Sequence, residues 1–247
     1  MKKSDIGKQM DHDHILRKRY KDLAKEYHEF GLNENEVRRS KEDLCFQADN
    51  KYILESITYK PTGVALGHPL PDQDMTENLW EISNSVEQYL RDINHESDKC
   101  FAFVPKDSYH ITLVNYSHFD CDKNITSITQ NEIEKVRQAI SKLNIDSVKI
   151  QFNGLIITSS GRLILQGFPT DDRFYRLRQT LYENVTELRV NTPKTAHVKS
   201  GHILTQLSLS ESESLFQKVV KLGTGVNFSL TFDDVYTPVE RIALKEL

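Results

Sequence analysis

The sequence predicts an α+β fold made of two similar halves, with a helical extension in front of them. Three observations carry that prediction. Strand-period and helix-period apolar patterns alternate from about residue 52 onward. The order strand, helix, histidine-bearing strand, helix, strand runs twice. Residues 1–50 instead show one amphipathic stripe set among dense charge.

The extension comes first. Leu16, Tyr20, Leu23, Tyr27 and Phe30 step by four and three residues and draw one apolar stripe that Gly31 can end. A second short helical piece follows, around Arg38 and Arg39, and the pair is expected to dock on the main domain, on a protein partner or on a second copy. Asp11-His12-Asp13-His14 reads as a solvated helix start, because successive residues on a helix fan out around its axis. The domain expectation is therefore a charged helical segment over 1–50 and a bilobal domain over 51–247.

In the first half, Lys51–Tyr59 and Val64–Leu70 read as strands around a Lys60-Pro61-Thr62-Gly63 turn. Asp74 and Glu77 suit a capping box for a helix that buries Leu79, Ile82, Val86 and Leu90 or Ile93. Phe101–Val104 and His110–Tyr116 are strands, Ile133, Val136, Ile140 and Leu143 mark a helix, and Val148, Ile150 and Phe152 alternate as a strand. The second half opens with a strand over Arg162–Phe168 and a helix carrying Phe174, Leu177, Leu181 and Val185. It continues with a strand over His202–Leu209, a helix capped by Ser210 and Glu213, and a closing strand alternating through Val226, Phe228, Leu230 and Phe232.

At 247 residues, 38% hydrophobic and 28% charged, the chain can bury a sizeable core. A formal charge of −4 argues against broad duplex binding and leaves room for a local basic cleft. Cys45, Cys100 and Cys121 are odd in number and lack metal spacing, which suits free thiols in a reducing cytosol. No run approaches the roughly 18 apolar residues of a membrane span, so the expected location is cytoplasmic, away from membrane.

Overlaying the halves puts His110 and His202 at equivalent points, so that a pseudo-two-fold arrangement sets their strands side by side in a central cleft. Residues i and i+2 of a strand share a face, so His110 projects together with Thr112. An imidazole moves a proton near neutral pH and a hydroxyl donates to a phosphate oxygen. The second motif is less regular: His202 is followed at i+2 by Leu204, and the hydroxyl comes one residue later, at Thr205. A one-residue bulge brings Thr205 back to the face of His202. Two alternatives stand beside it: His197 with Lys199 or Ser200, and Gln206 in place of Thr205. Arg162, Lys199 and Lys106 are the cations nearest these motifs in sequence.

Pro105-Lys106-Asp107-Ser108-Tyr109-His110-Ile111-Thr112-Leu113, Gly161–Gly167 and Ser200-Gly201-His202-Ile203 resemble the two-histidine phosphoesterase superfamily, whose hallmark is a His-apolar-Thr/Ser-apolar motif in each lobe. The resemblance covers residues 52–247; the first motif matches fully and the second departs at Leu204. It implies a bilobal α+β fold with two antiparallel sheets flanking a V-shaped groove and helices outside. It also implies a metal-independent phosphodiesterase without cofactor, acting on 2′,3′-cyclic phosphates or 2′-5′ linkages of nucleotides or short RNA ends, or on cyclic oligonucleotide signals. His110 and His202 are then general base and acid, and Thr112 and Thr205 hold the phosphoryl oxygens. A module of the same fold that binds a nucleotide or RNA end without turnover is the alternative.

Overall fold

The structure, a computed structural model, describes residues 3–42, 63–93, 100–115, 129–185, 195–237 and 240–244. The expected strand at Lys51–Tyr59, the Lys60–Thr62 part of its turn, Tyr116, Cys45, Cys121, His95 and His118 lie outside these residues.

Helix α1 (Lys3–Phe30) buries Leu16, Tyr20 and Tyr27 from the expected stripe, while Phe30 is 71% exposed. Gly31 stops it with φ +68°, a left-handed conformation that costs glycine little, and its N–H closes on the Tyr27 carbonyl. Helix α2 (Glu34–Glu42) follows directly.

Strand β1 (Gly63–Leu66) leads to helix α3 (Gln73–Ile93), which buries Leu79, Ile82, Val86 and Leu90 as expected. Its N-terminal acceptor is the Asp72 carboxylate, bonded to the Met75 N–H at 2.9 Å, rather than Asp74. Strands β2 (Phe101–Phe103) and β3 (Ile111–Asn115) flank a 3-10 turn at Lys106–Ser108. Helix α4 (Gln130–Ser141) starts at a Thr129–Glu132 capping box. Strands β4 (Val148–Ile157) and β5 (Arg162–Pro169) form a hairpin, followed by helix α5 (Arg173–Asn184).

Strand β6 (Ala196–Ile203) runs earlier than the expected His202–Leu209 strand. Helix α6 (Leu209–Gly223) is capped by Ser208 and Glu211, two residues ahead of the expected Ser210–Glu213 pair. The Ser212 carbonyl in its first turn accepts from the Tyr27 hydroxyl of α1 at 3.2 Å. Strand β7 (Asn227–Phe232) is followed by two short strands missed in the sequence, β8 (Asp234–Tyr236) and β9 (Arg241–Ala243).

The nine strands among the described residues join one curled antiparallel sheet in the order β7-β4-β5-β6-β3-β1-β8-β9, with β2 also on β6. The two sheets implied by the resemblance are therefore hydrogen-bonded into one, across a narrow joint: β3 meets β6 at a single pair, Ile111↔Val198. The halves also interlace. Chain from the C-terminal end, β8, pairs with β1, and β2 from the first half pairs with β6. Long-range packing thus rearranges the repeat seen in sequence, with α3 against α6 and α4 against α5.

On β5, Leu163, Leu165 and Gly167 face the main core under the helices, whereas Ile164 and Phe168 face the other way, beneath α1. Leu16 and Tyr20 of α1 pack there with Ile156, Ile164 and Phe168. The apolar stripe of the extension is thus spent on the protein's own sheet, on the face that also carries the histidines.

Candidate active site

Two strands share one edge of β6. Its first half lies beside β3, through Val198↔Ile111, and its second half beside β2, through His202↔Ala102 and Gly201↔Phe103. On the other edge, the register with β5 shifts between Leu163 and Ile164, where Gly201 and Lys199 are successive partners and Ser200 is the extra residue of a bulge.

These pairings decide which side chains meet. From Ile111↔Val198, the antiparallel sense sets His110 opposite Lys199 and Thr112 opposite His197. Their side chains share one face, and His110 and His197 lie close enough for a charge on one to disfavour a charge on the other. His197 also sits opposite Gln166 of β5, and Thr112 opposite Ala65 of β1, which in turn pairs with Tyr236 of β8. The His68 ring lies 5.9 Å from that of His110 and 4.7 Å from that of Tyr236.

Both imidazoles are held by their Nδ1 atoms. His110 Nδ1 lies 2.7 Å from the Ser108 carbonyl, and a carbonyl only accepts, so Nδ1 carries the proton and Nε2 keeps a lone pair. The 3-10 turn at Lys106–Ser108, placed where the edge strand breaks between β2 and β3, is what supplies that carbonyl. His197 Nδ1 lies 2.8 Å from the Thr195 hydroxyl, which can donate or accept, so its Nε2 can carry a proton.

Burial is the main cause that lowers both proton affinities. It holds His110 down at about 4, helped by His68 and Lys199 and opposed by the Ser108 carbonyl. It holds His197 down at about 3, reinforced by Arg162, Arg178, His110 and Lys199. By themselves, both rings are neutral at pH 7.

The structure does not bring His202 to this cluster. It is 3% exposed, lies between Ala102 and Arg162, and the Thr158–Gly161 turn closes against its ring. Burial, then Lys199 and Arg162, push its pKa far below the ordinary value, and His110 is not among the groups acting on it. Thr205 falls beyond the end of β6, is also 3% exposed and donates to the Gln206 carbonyl at 3.5 Å; Gln206 itself is exposed. The physical reason is register: the strand begins at Ala196, so the part facing β3 carries His197 rather than His202. The sequence signal for it was His197-Val198-Lys199, a His-apolar-X triplet with lysine where Thr112 stands in the first motif.

Of the three expected cations, Lys199 lies on the His110 face, and Lys106 is paired with Glu77 at 2.7 Å. Arg162 is exposed opposite His202.

No family model matches this chain, and no curated protein does. Among solved structures, Usb1 of Kluyveromyces marxianus with uridine monophosphate is 15% identical, at a TM-score of 0.46 over 75% of this chain and 98% of that one. Another structure of Kluyveromyces marxianus Usb1 is 14% identical, at a TM-score of 0.43 over 75% and 98%. TT0787 of Thermus thermophilus is 12% identical, at a TM-score of 0.47 over 74% and 97%. No helix among the described residues is long and apolar enough to cross a membrane.

Proposed function

We propose that this protein is a metal-independent phosphodiesterase that opens cyclic phosphates or 2′-5′ phosphodiester bonds in nucleotides or RNA ends, with His110 and His197 as its acid–base pair. The observation that carries the reading is the shared face of His110, Thr112, His197 and Lys199, set by the Ile111↔Val198 pair. The unprotonated Nε2 of His110 takes a proton from water or a hydroxyl as it attacks phosphorus. His197 delivers a proton to the leaving oxygen from the opposite side. The Thr112 hydroxyl and the Lys199 ammonium hold the phosphoryl oxygens; an ammonium offers three donors and a full charge where a hydroxyl offers one donor.

An acid is needed, and both imidazoles are neutral by themselves. A phosphodiester anion between them favours the charged form, so substrate binding itself supplies the proton affinity. The test is turnover of 2′,3′-cyclic mononucleotides, 2′-5′ oligonucleotides and cyclic dinucleotides in excess chelator. His110→Ala and His197→Ala are expected to lose turnover by a factor on the order of 10² to 10⁴ each. Loss in a folded His202→Asn variant with retention in His197→Ala would return the second role to His202 and Thr205.

The neutrality of both rings also favours a second reading, a module that binds a nucleotide or RNA end without cleaving it. Such a module raises its melting temperature with a cyclic mononucleotide and releases no monophosphate.

A further inference from the structure

Arg178 touches both histidine-bearing strands at once. Its Nη2 donates to the Thr112 carbonyl of β3 at 2.9 Å and to the Thr195 carbonyl, just ahead of β6, at 3.2 Å. Its guanidinium carbon lies 4.3 Å from the centre of the Phe174 ring. Burial lowers its pKa to about 10, which leaves it charged at neutral pH, and its buried Nε has no hydrogen-bond partner among the described residues. Among those residues, the groups acting on its charge are Tyr175 and Tyr20, not a carboxylate. A buried cation without a carboxylate costs stability, and the chain retains it at the joint of its two histidine strands.

That joint is weak without help, because the β3–β6 ladder holds one pair. Beyond it, Thr112 and Thr195 are linked through the Arg178 guanidinium. Thr195 in turn bonds His197 Nδ1 through its hydroxyl, so the arginine, the threonine and the imidazole form one connected line. We propose that Arg178 is a positioning residue of the two-histidine centre, clamping β3 to β6 through the Thr112 and Thr195 carbonyls so that His197 stays across the joint from His110, diagonal to it, with its ring orientation fixed. This role rests on the proposed acid–base pairing of His110 with His197.

The charge of the guanidinium adds to the effect. The groups that face His197 are Arg162 from β5, Lys199 from β6, His110 ahead of β3 and Arg178 from α5. Tyr20 from α1 and Tyr175 from α5 face Arg178. Removing this one cation while the others remain shifts the His197 titration in one direction, upward.

The test compares the full chain with Arg178→Lys and Arg178→Met, following the His110 and His197 imidazoles by NMR through a pH titration without substrate. In Arg178→Met the His197 midpoint is expected to rise by about one pH unit, and its ring signals to broaden as the ring orientation averages. Arg178→Lys keeps the charge and loses the two-carbonyl fork, so its midpoint stays, the ring signals broaden, and kcat falls about tenfold with KM changed less than about threefold. Unbroadened His197 ring signals in the lysine variant overturn the proposal, and so does an unchanged midpoint in a folded methionine variant. A drop in melting temperature alone, with both titrations unmoved, marks an ordinary structural arginine and also overturns it. Because the titration needs no turnover, it gives its answer even if no cyclic phosphate is cleaved.

Discussion

The proton on His110 is placed by an oxygen that cannot give one back, the Ser108 carbonyl, and this leaves the lone pair on Nε2. His197 has a more permissive partner in the Thr195 hydroxyl, so the two rings are not equivalent. Their titration has a kinetic consequence. In the proposed mechanism a productive free enzyme needs one neutral and one charged ring, and with values of about 4 and 3 that form becomes scarcer as pH rises. The kcat/KM for a 2′,3′-cyclic mononucleotide is expected to fall as pH is raised from about 5 to about 8, because the substrate keeps its single negative charge across that range. A flat profile over those units contradicts the assignment. Lys199→Met is expected to raise KM about tenfold or more, since it removes the cation proposed to hold the phosphate; an unchanged KM removes that role. Gly201 is fixed for a different reason: the Phe101 ring occupies the place a Cβ would take, so Gly201→Ala is expected to cost about 1–3 kcal/mol in urea unfolding.

Among the elements, α1 docks on the main domain, one of the places expected for it. Tyr20 reaches into the end of the β5–β6 ladder, where its hydroxyl donates to the Ala196 carbonyl at 2.6 Å and accepts from the Gly167 N–H at 3.1 Å. The ladder there is completed by a side chain from another element, one residue from Thr195 and His197. Tyr20→Phe leaves both backbone groups without that partner, and an unfolding cost of about 1–3 kcal/mol is expected by denaturant titration. A chain beginning near residue 50 exposes Ile156, Ile164 and Phe168 together, so truncation is expected to lower solubility and melting temperature. A stable, fully active truncated protein contradicts the covering role of α1.

For the whole molecule, the buried histidines couple folding to acidity. In the unfolded chain a histidine titrates near about 6.5. In the folded protein, burial keeps His110 at about 4 and His197 at about 3, and His202 is also pushed down. Between those limits the unfolded state binds more protons, so the contribution is full above the unfolded value and is lost as pH falls toward about 4. The melting temperature is therefore expected to drop from about pH 7 to about pH 5, and to drop less in His197→Asn. An equal or steeper drop in the variant argues against this coupling. The curled sheet is what makes the arrangement possible: His197 and His202 sit on β6 and His110 just ahead of β3, strands whose other faces hold the main apolar core.

Local chemistry in the sequence determined the alternation of helices and strands, the stop at Gly31 and the projection of His110 with Thr112 from one face. Side-chain direction along a strand, helix period and glycine at a helix end are properties of neighbouring residues. The capping signals placed two helices within a few residues, because Ser208 and Ser210 offer the same spacing to Glu211 and Glu213 and tertiary packing chooses between them. Only the tertiary structure decided which histidine faces His110. That choice lies in the non-local pairing of β6, with β3 along one half and β2 along the other, and in a bulge at Ser200. Partners across a ladder are set by register between distant segments, and no local pattern along either strand encodes it.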